Sequence, residues 1–341
     1  MTTVPDPLCI LYLTPYYYTA RGNAATAGRM KTYLEKAGHE VMVYAFEEED
    51  SPLDEKLERA DIVHALHARR AAEFVEAHRL RIRKPLVVTS GGTDINIDLQ
   101  DAVKKQNMEQ FLADAGAVTV FTGDAEQKIV ESFPRLSSKV TVIPQGVDIP
   151  PEKPEAVPVL PEGSPKLLLP AGLRPVKDVL YVCSALQKNL SRFPDLQLLV
   201  LGEEMDEQVK KEVEQAEQEL SWFFRYPPVK RKDMSGFYQW ADVVLNTSVS
   251  EGQPMSLLEG MMHGVPALAR KNGGSESVIA HGRNGWLFST PQEFVEILDM
   301  LMRDTSLYRQ AAGEAEKYAA RYHCPEEEAA EYTFLYDSLL R

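Results

Sequence analysis

Ser250-Glu251-Gly252-Gln253-Pro254-Met255-Ser256-Leu257-Leu258-Glu259-Gly260-Met261-Met262-His263-Gly264-Val265-Pro266 joins two short apolar runs, Val243–Asn246 and Val265–Ala269. Gly252 frees the backbone after the first run, Pro254 suits the first turn of a helix, and Gly264 suits the residue just past its end. The stretch therefore reads as strand, loop, short helix, strand. Glu251 stands before the helix and Glu259 about two turns along it. A helix N-terminus presents unpaired N–H groups and partial positive charge, a setting suited to a diphosphate. The two carboxylates flanking it have the right character to accept hydrogen bonds from a sugar and from a ribose.

The same alternation continues outward in both directions. Leu8–Leu13 is an apolar run ending at Thr14-Pro15, Ala24–Lys36 carries a helical pattern closed by Gly38, and Val41–Phe46 is the next strand. Asp61–Leu66, Pro85–Thr89, Ala117–Phe121 and Lys139–Pro144 read as further buried strands, separated mostly by polar, helix-compatible segments. Pro150–Pro165 changes abruptly to Pro, Glu and Gly, the composition of a connector. A second series follows, with strands at Lys166–Ala171, Gln197–Leu201, Val243–Asn246, Val265–Ala269 and Gly285–Phe288. Gln292–Met302 has a helical stripe of Phe294, Ile297, Leu298 and Leu301, and Glu203–Leu220 reads as a solvated helix face. Alternating βα units imply parallel sheets covered by helices. The expected architecture is α/β, with two doubly wound, Rossmann-like domains at residues 1–150 and 151–320 facing a central cleft. Residues 321–341 form a C-terminal helical segment expected to pack back on the first domain. Ligands of such sheets bind at the carboxyl ends of the strands.

Composition narrows the function. A chain of 341 residues with 44% apolar and 26% charged residues has the make-up of an ordinary folded protein of about two domains. Its 37 Lys+Arg against 51 Asp+Glu give a net charge of −14, which repels nucleic acid and anionic lipid surfaces. Cys9, Cys183 and Cys324 are far apart, forming neither a disulfide framework nor a zinc pattern. Neither a secretory signal nor an apolar run of membrane-spanning length is apparent, so a cytoplasmic protein is expected. No G-x-G-x-x-G fingerprint follows the first strand, which argues against a dinucleotide dehydrogenase, and no Ser-His-Asp constellation is evident.

Asp242–Phe288 resembles the retaining, nucleotide-sugar-dependent family-four glycosyltransferases of GT-B fold. Glu251…Glu259 matches their E-x7-E element, followed here by Asn272-Gly273-Gly274-Ser275-Glu276-Ser277-Val278 and Asn284-Gly285-Trp286-Leu287-Phe288. The likeness extends to Gly172-Leu173-Arg174-Pro175-Val176-Lys177-Asp178, to Ile143-Pro144-Gln145-Gly146-Val147-Asp148-Ile149, to Gly22-Asn23 in the loop after the first strand and to Thr93-Asp94. Within the family the chain looks most similar to the glycosyltransferase-1-domain-containing proteins, and next to the selenosugar synthases. The resemblance implies that Glu259 binds the ribose hydroxyls and Glu251 the donor hexose. It also implies that Gly252, Gln253, Pro254, Met255 and Ser256, together with Gly22, cradle sugar and phosphate. Arg174 and Lys177 emerge at a strand's carboxyl end, where two cations can neutralise a departing diphosphate without a metal.

On the acceptor side the candidates are Asn23, His67, Arg69, Arg70, Thr93 and Asp94. The run His64-Ala65-Leu66-His67-Ala68-Arg69-Arg70 concentrates positive charge at a strand end and could hold an anionic group of the acceptor. Family members often carry His where Gly91 stands. The expected activity is retaining transfer of a hexosyl unit from a nucleoside diphosphate sugar, UDP-linked, to a small soluble acceptor. The nucleotide sugar serves as co-substrate, with no further cofactor and no metal. Transfer to selenophosphate or a similar small anion, and a non-catalytic nucleotide-sugar-binding protein, are the alternatives.

Overall fold

The computed structural model of the chain describes residues 6–19, 21–148 and 159–341. Ile149 and the first part of the connector, to residue 158, lie outside the described residues, and with them the expected boundary at 150 and 151. The chain divides into two compact units. One comprises residues up to Gly146 together with His323–Arg341, and the other runs from Val147 to Tyr322.

The first unit holds six strands: β1 (Cys9–Thr14), β2 (Glu40–Ala45), β3 (Ile62–Leu66), β4 (Leu86–Ser90), β5 (Ala117–Val120) and β6 (Val140–Val142). They pair in parallel in the order β2-β1-β3-β4-β5-β6. The second unit holds β7 (Lys166–Pro170), β8 (Gln197–Leu201), β9 (Phe223–Tyr226), β10 (Val243–Asn246), β11 (Ala267–Arg270) and β12 (Gly285–Phe288). These are likewise parallel, in the order β12-β11-β10-β7-β8-β9. Strand order therefore reverses between β1 and β3 in one sheet and between β7 and β10 in the other. At such points neighbouring loops diverge and leave a crevice for ligands. The sequence reading anticipated five of the strands in the second series and missed β9, an edge strand on which only Phe223 is buried.

Both faces of each sheet are covered, as the fully apolar strands require. In the first unit Leu11, Val63, Val88 and Val118 face one apolar layer, and Ile10, Tyr12, Ile62 and Val87 the other. The second layer is completed by the helix Pro325–Leu340, whose Ala329, Tyr332 and Tyr336 are buried in it. Burying those phenols requires partners for their hydroxyls. Tyr336 Oη lies 2.6 Å from His64 Nδ1, while His64 Nε2 lies 2.6 Å from Thr89 Oγ1. Tyr332 Oη reaches both Thr89 and Thr119. Burial drives the His64 pKa down to about 3, so the ring is neutral in this chain of hydroxyls. A second buried tie is ionic. Arg29 donates through Nε and Nη2 to both oxygens of Glu328, and Glu328 also accepts from the backbone N–H of Gly146 at 2.9 Å. A Cβ on Gly146 would sit 2.4 Å from Pro325 Cα, so the start of the helix rests directly on backbone.

In the second unit the helix Met255–Met262 presses on β10 through Gly260, where a Cβ would stand 2.4 Å from Val244 Cγ2. The helix Glu207–Glu219 buries Val213 alone among its side chains, consistent with a solvated face. Among the described residues no helix is long and apolar enough to cross a membrane.

Candidate functional site

Two loops meet at the crossover of the second sheet. After β7 the chain passes Gly172, takes an extended turn at Arg174, makes a single 3-10 turn at Pro175–Lys177 and enters the left-handed region at Asp178, φ 42°. After β10 the loop Thr247–Val249 runs alongside it. Val249 N–H donates to Val176 O at 2.9 Å, and Thr247 Oγ1 donates to Lys177 O at 2.9 Å. This backbone-level pairing fixes where the two charged side chains emerge.

They emerge onto each other. Lys177 Nζ lies 2.6 Å from Glu251 Oε1, an oxygen that also accepts from Asn246 Nδ2 at 2.9 Å and Ser248 Oγ at 2.7 Å. Burial raises the Glu251 pKa, but the Lys177 charge and the hydrogen bonds from Asn246, Lys177 and Ser248 outweigh it and hold the carboxyl below its ordinary range. Glu251 is thus an oriented carboxylate. Its backbone is braced from the next loop: a Cβ on Gly274 would collide with Glu251 O and Gly252 O, and Asn272 Nδ2 donates to Ser248 O at 3.0 Å. An ammonium carries three donor hydrogens, so contact with Glu251 does not exhaust Lys177. Arg174 is half-buried, and its Nε has no hydrogen-bond partner among the described residues.

Gly252, Gln253 and Pro254 form the approach to the helix Met255–Met262, with Met255 and Ser256 in its first turn and no side chain capping it. One turn further along this helix, Glu259 is half-buried and accepts from Tyr238 Oη at 2.6 Å through Oε2.

The first unit treats its candidates differently. Gly22 and Asn23 open the helix Gly22–Lys36, two residues ahead of the expected start at Ala24, so they lie in its first turn and not in a loop. A Cβ on Gly22 would meet nothing within 4 Å. The preceding segment is clamped by Glu48, which accepts from the backbone N–H groups of Tyr17, Tyr18 and Thr19. His67, at φ 72°, caps the helix Ala68–Ala77, and its Nε2 is 3.1 Å from Thr93 Oγ1. Asp94 is buried. Its oxygens accept from Ser90 Oγ and from the backbone N–H groups of Ala68, Gly92 and Ile95. Burial raises its pKa, but His67 and these donors outweigh that and hold the carboxyl low. His67, Thr93 and Asp94 come together around the ends of β3 and β4.

The arginines go elsewhere. Arg69 pairs with Asp98 at 2.7 Å and Glu73 at 2.6 Å, while Arg70 reaches Tyr16 Oη at 2.9 Å and Glu47 at 3.2 Å. The expected concentration of positive charge is therefore met by carboxylates. At Gly91 a Cβ would stand 2.3 Å from the Phe121 ring, which occupies the space a larger residue would need. Sequence reasoning missed Asn246, Ser248 and Tyr238, and noted Asn272 in a motif without giving it a role. Among the described residues no three His, Cys, Asp or Glu side chains gather as metal ligands would.

The sequence profile of the family described as glycosyl transferases group 1 matches residues 152–318. A glycosyltransferase 1 domain-containing protein 1 from Xenopus tropicalis is 29% identical over 92% of this chain and 93% of its own length. A D-inositol 3-phosphate glycosyltransferase from Corynebacterium urealyticum is 25% identical over 71% of this chain and 61% of its own length. Among solved structures, the Anabaena protein HepE in complex with UDP and glucose superposes with a TM-score of 0.77 at 17% identity, covering 97% of this chain and 100% of that one. A glycosyltransferase from Rickettsia africae gives a TM-score of 0.77 at 16% identity, covering 98% and 99%. Residues 152–318 thus resemble the group 1 glycosyl transferases in sequence, and the chain has the fold of the GT-B glycosyltransferases.

Proposed function

We propose that the chain transfers a hexosyl unit from a nucleoside diphosphate sugar, UDP-linked, to a small soluble acceptor in the cytoplasm, with retention at the anomeric carbon and without a metal. The observation that carries this reading is the contact of Lys177 with Glu251 at the crossover of the second sheet, beside an uncapped helix N-terminus. HepE has also been crystallised with UDP-glucose, and the relative named for D-inositol 3-phosphate is a precedent for a small soluble acceptor.

In this reading the second unit binds the donor. Glu259 accepts from the ribose hydroxyls, Glu251 from a hexose hydroxyl, and the backbone N–H groups of Gln253, Met255 and Ser256 face the diphosphate. As the bond from the anomeric carbon to the phosphate oxygen breaks, its electron pair stays on the phosphate. Arg174, Lys177 and the helix N-terminus meet that charge, and such preplaced groups act where charge develops. The acceptor hydroxyl attacks from the face the phosphate leaves and passes its proton to a phosphate oxygen. The first unit, through Asn23, His67 and Thr93, supplies the acceptor side, with Asp94 holding the loop that carries Thr93, while Gly22 lets the backbone approach the donor phosphate. Arg69 and Arg70, each already paired with carboxylates, lend no support to a selenophosphate-like anionic acceptor.

A thermal-shift panel of UDP-, GDP- and ADP-sugars tests the donor. A ligand that binds only the native state at a hundred times its Kd adds about 2.7 kcal/mol to stability. A raised Tm with UDP-sugars is expected, and no response to any nucleotide sugar would overturn the reading.

A further inference from the structure

A carboxylate on three rotatable bonds is a poor reader of two adjacent hydroxyls unless something fixes its plane, because ordering such a side chain costs on the order of 1–2 kcal/mol. Glu259 is fixed. Tyr238, on the helix Met234–Trp240, is buried and directs its hydroxyl at Glu259 Oε2 from 2.6 Å, a short charge-assisted bond. The phenol is held in turn by His263, whose ring stacks on it at 5.1 Å with 26° between planes. His263 Nδ1 lies 2.8 Å from the backbone oxygen of Glu259, one helical turn back on the same face. Tyr238, Glu259 and His263 lie together with Arg231 and Met234 around one shallow depression, and Glu259 is half-buried at its edge.

Resting on the donor-site reading above, we propose that Tyr238 is a positioning residue that presets Glu259 for a ribose diol and so makes the site select ribonucleoside over deoxyribonucleoside diphosphates. With one oxygen held by Tyr238, the other and the remaining lone pairs are presented in a fixed plane. A nucleotide lacking the hydroxyls leaves that oriented carboxylate without donors, and selectivity of this kind comes from the unpaired polar group.

The test is calorimetric, with UDP and 2′,3′-dideoxy-UDP as probes on the full chain. Tyr238→Phe keeps the ring and its stack but removes the donor. It should weaken UDP about tenfold and leave dideoxy-UDP within about twofold, so that the ratio of the two affinities falls toward that of Glu259→Ala. His263→Ala removes the ring behind Tyr238 and keeps its hydroxyl; a smaller loss, again confined to UDP, is expected and does not depend on the first variant folding. An unchanged ratio in Tyr238→Phe, or an equal loss on both nucleotides, overturns the proposal. Failure of the parent chain to bind UDP overturns the donor-site reading and this inference with it, an outcome distinct from the other two.

Discussion

The two sheets have the same strand count and the same parallel pairing, yet they use charge in different ways at their strand ends. In the second unit the charged groups reach across sequence: Lys177 meets Glu251, 74 positions away, and the loops that carry them are joined by one backbone hydrogen bond and one from the Thr247 hydroxyl. In the first unit they are satisfied by the scaffold. Asp94 is taken up mainly by neighbouring backbone, Arg69 by Glu73 one turn along its own helix and by Asp98, and Arg70 by Tyr16 and Glu47. Charged groups at strand ends can thus be left with hydrogen-bonding capacity to spare or be used up in shaping the loop itself. What separates the cases is donor count: Asp94 has its lone pairs occupied, whereas Lys177 has hydrogens left after its one ion pair.

Four experiments break or sharpen that contrast. The largest effect belongs to Lys177→Ala, which should lower kcat by about 10²–10³-fold, as expected for removal of a group facing developing charge. It should also destabilise the fold, because the buried Glu251 loses its counterion. Steady-state rates of sugar transfer within tenfold of the parent would move Lys177 from ligand to scaffold. The same assay with EDTA should retain full turnover, and strict dependence on Mg²⁺ would contradict charge neutralisation by the chain's own cations.

Next in size, Asp94→Ala should cost about 2–3 kcal/mol of stability by leaving buried N–H groups without an acceptor, while UDP affinity stays unchanged. Urea unfolding followed beside calorimetry separates the two, and a loss of UDP affinity without a loss of stability would give Asp94 a ligand after all.

The third concerns pH. With the His64 pKa near 3 when folded against an ordinary 6.5, the unfolded chain takes up a proton that the folded chain refuses. Stability is therefore full above about pH 6.5 and falls as pH drops toward 3, with a slope approaching about 1.4 kcal/mol per pH unit. The depressed carboxyls of Asp94 and Glu251 act in the same direction at lower pH, their contribution being lost as pH falls through their lowered values. Urea midpoints between pH 7 and 5 should show the slope in the parent and a flatter one in His64→Gln; identical slopes would remove His64 from the account.

The smallest effect is expected for Arg70→Gln. Its partly exposed pair with Glu47 is worth no more than about 1 kcal/mol. The KM for an anionic acceptor should stay within about threefold of the parent. A larger rise would mean that the acceptor displaces Glu47, and would restore the anionic-acceptor alternative.

Strands buried on both faces announce themselves as largely apolar runs, which is why β1, β3, β4 and β5 could be placed from sequence. The edge strand β9 mixes Phe223 with half-exposed Arg225 and Tyr226 and gives no such signal. That Glu251, Lys177, Arg174 and Glu259 stand beside strand ends and at a helix was legible, because the apolar runs fix where those elements begin and stop. Asn246, Ser248 and Tyr238 were not, since their value lies in meeting a carboxylate whose position only the tertiary fold defines. The run ending in Arg69-Arg70 was legible as charge but not as neutralised charge. Of its partners only Glu73 sits at helical spacing, while Asp98 and Glu47 arrive from other loops.

The helix Pro325–Leu340 belongs to the first unit but is synthesised after the second. On the ribosome β1 to β6 emerge early, yet the layer that buries Tyr12 and gives His64 its phenol partner arrives only after the whole of Val147–Tyr322 has been made. Domains ordinarily mature in the order of synthesis. Here the second unit is the one whose residues are contiguous, and the first must wait with an open apolar face until the helix Pro325–Leu340 has been made. The buried Arg29–Glu328 pair, joining positions 299 apart, ties closure of the first unit to the arrival of this helix.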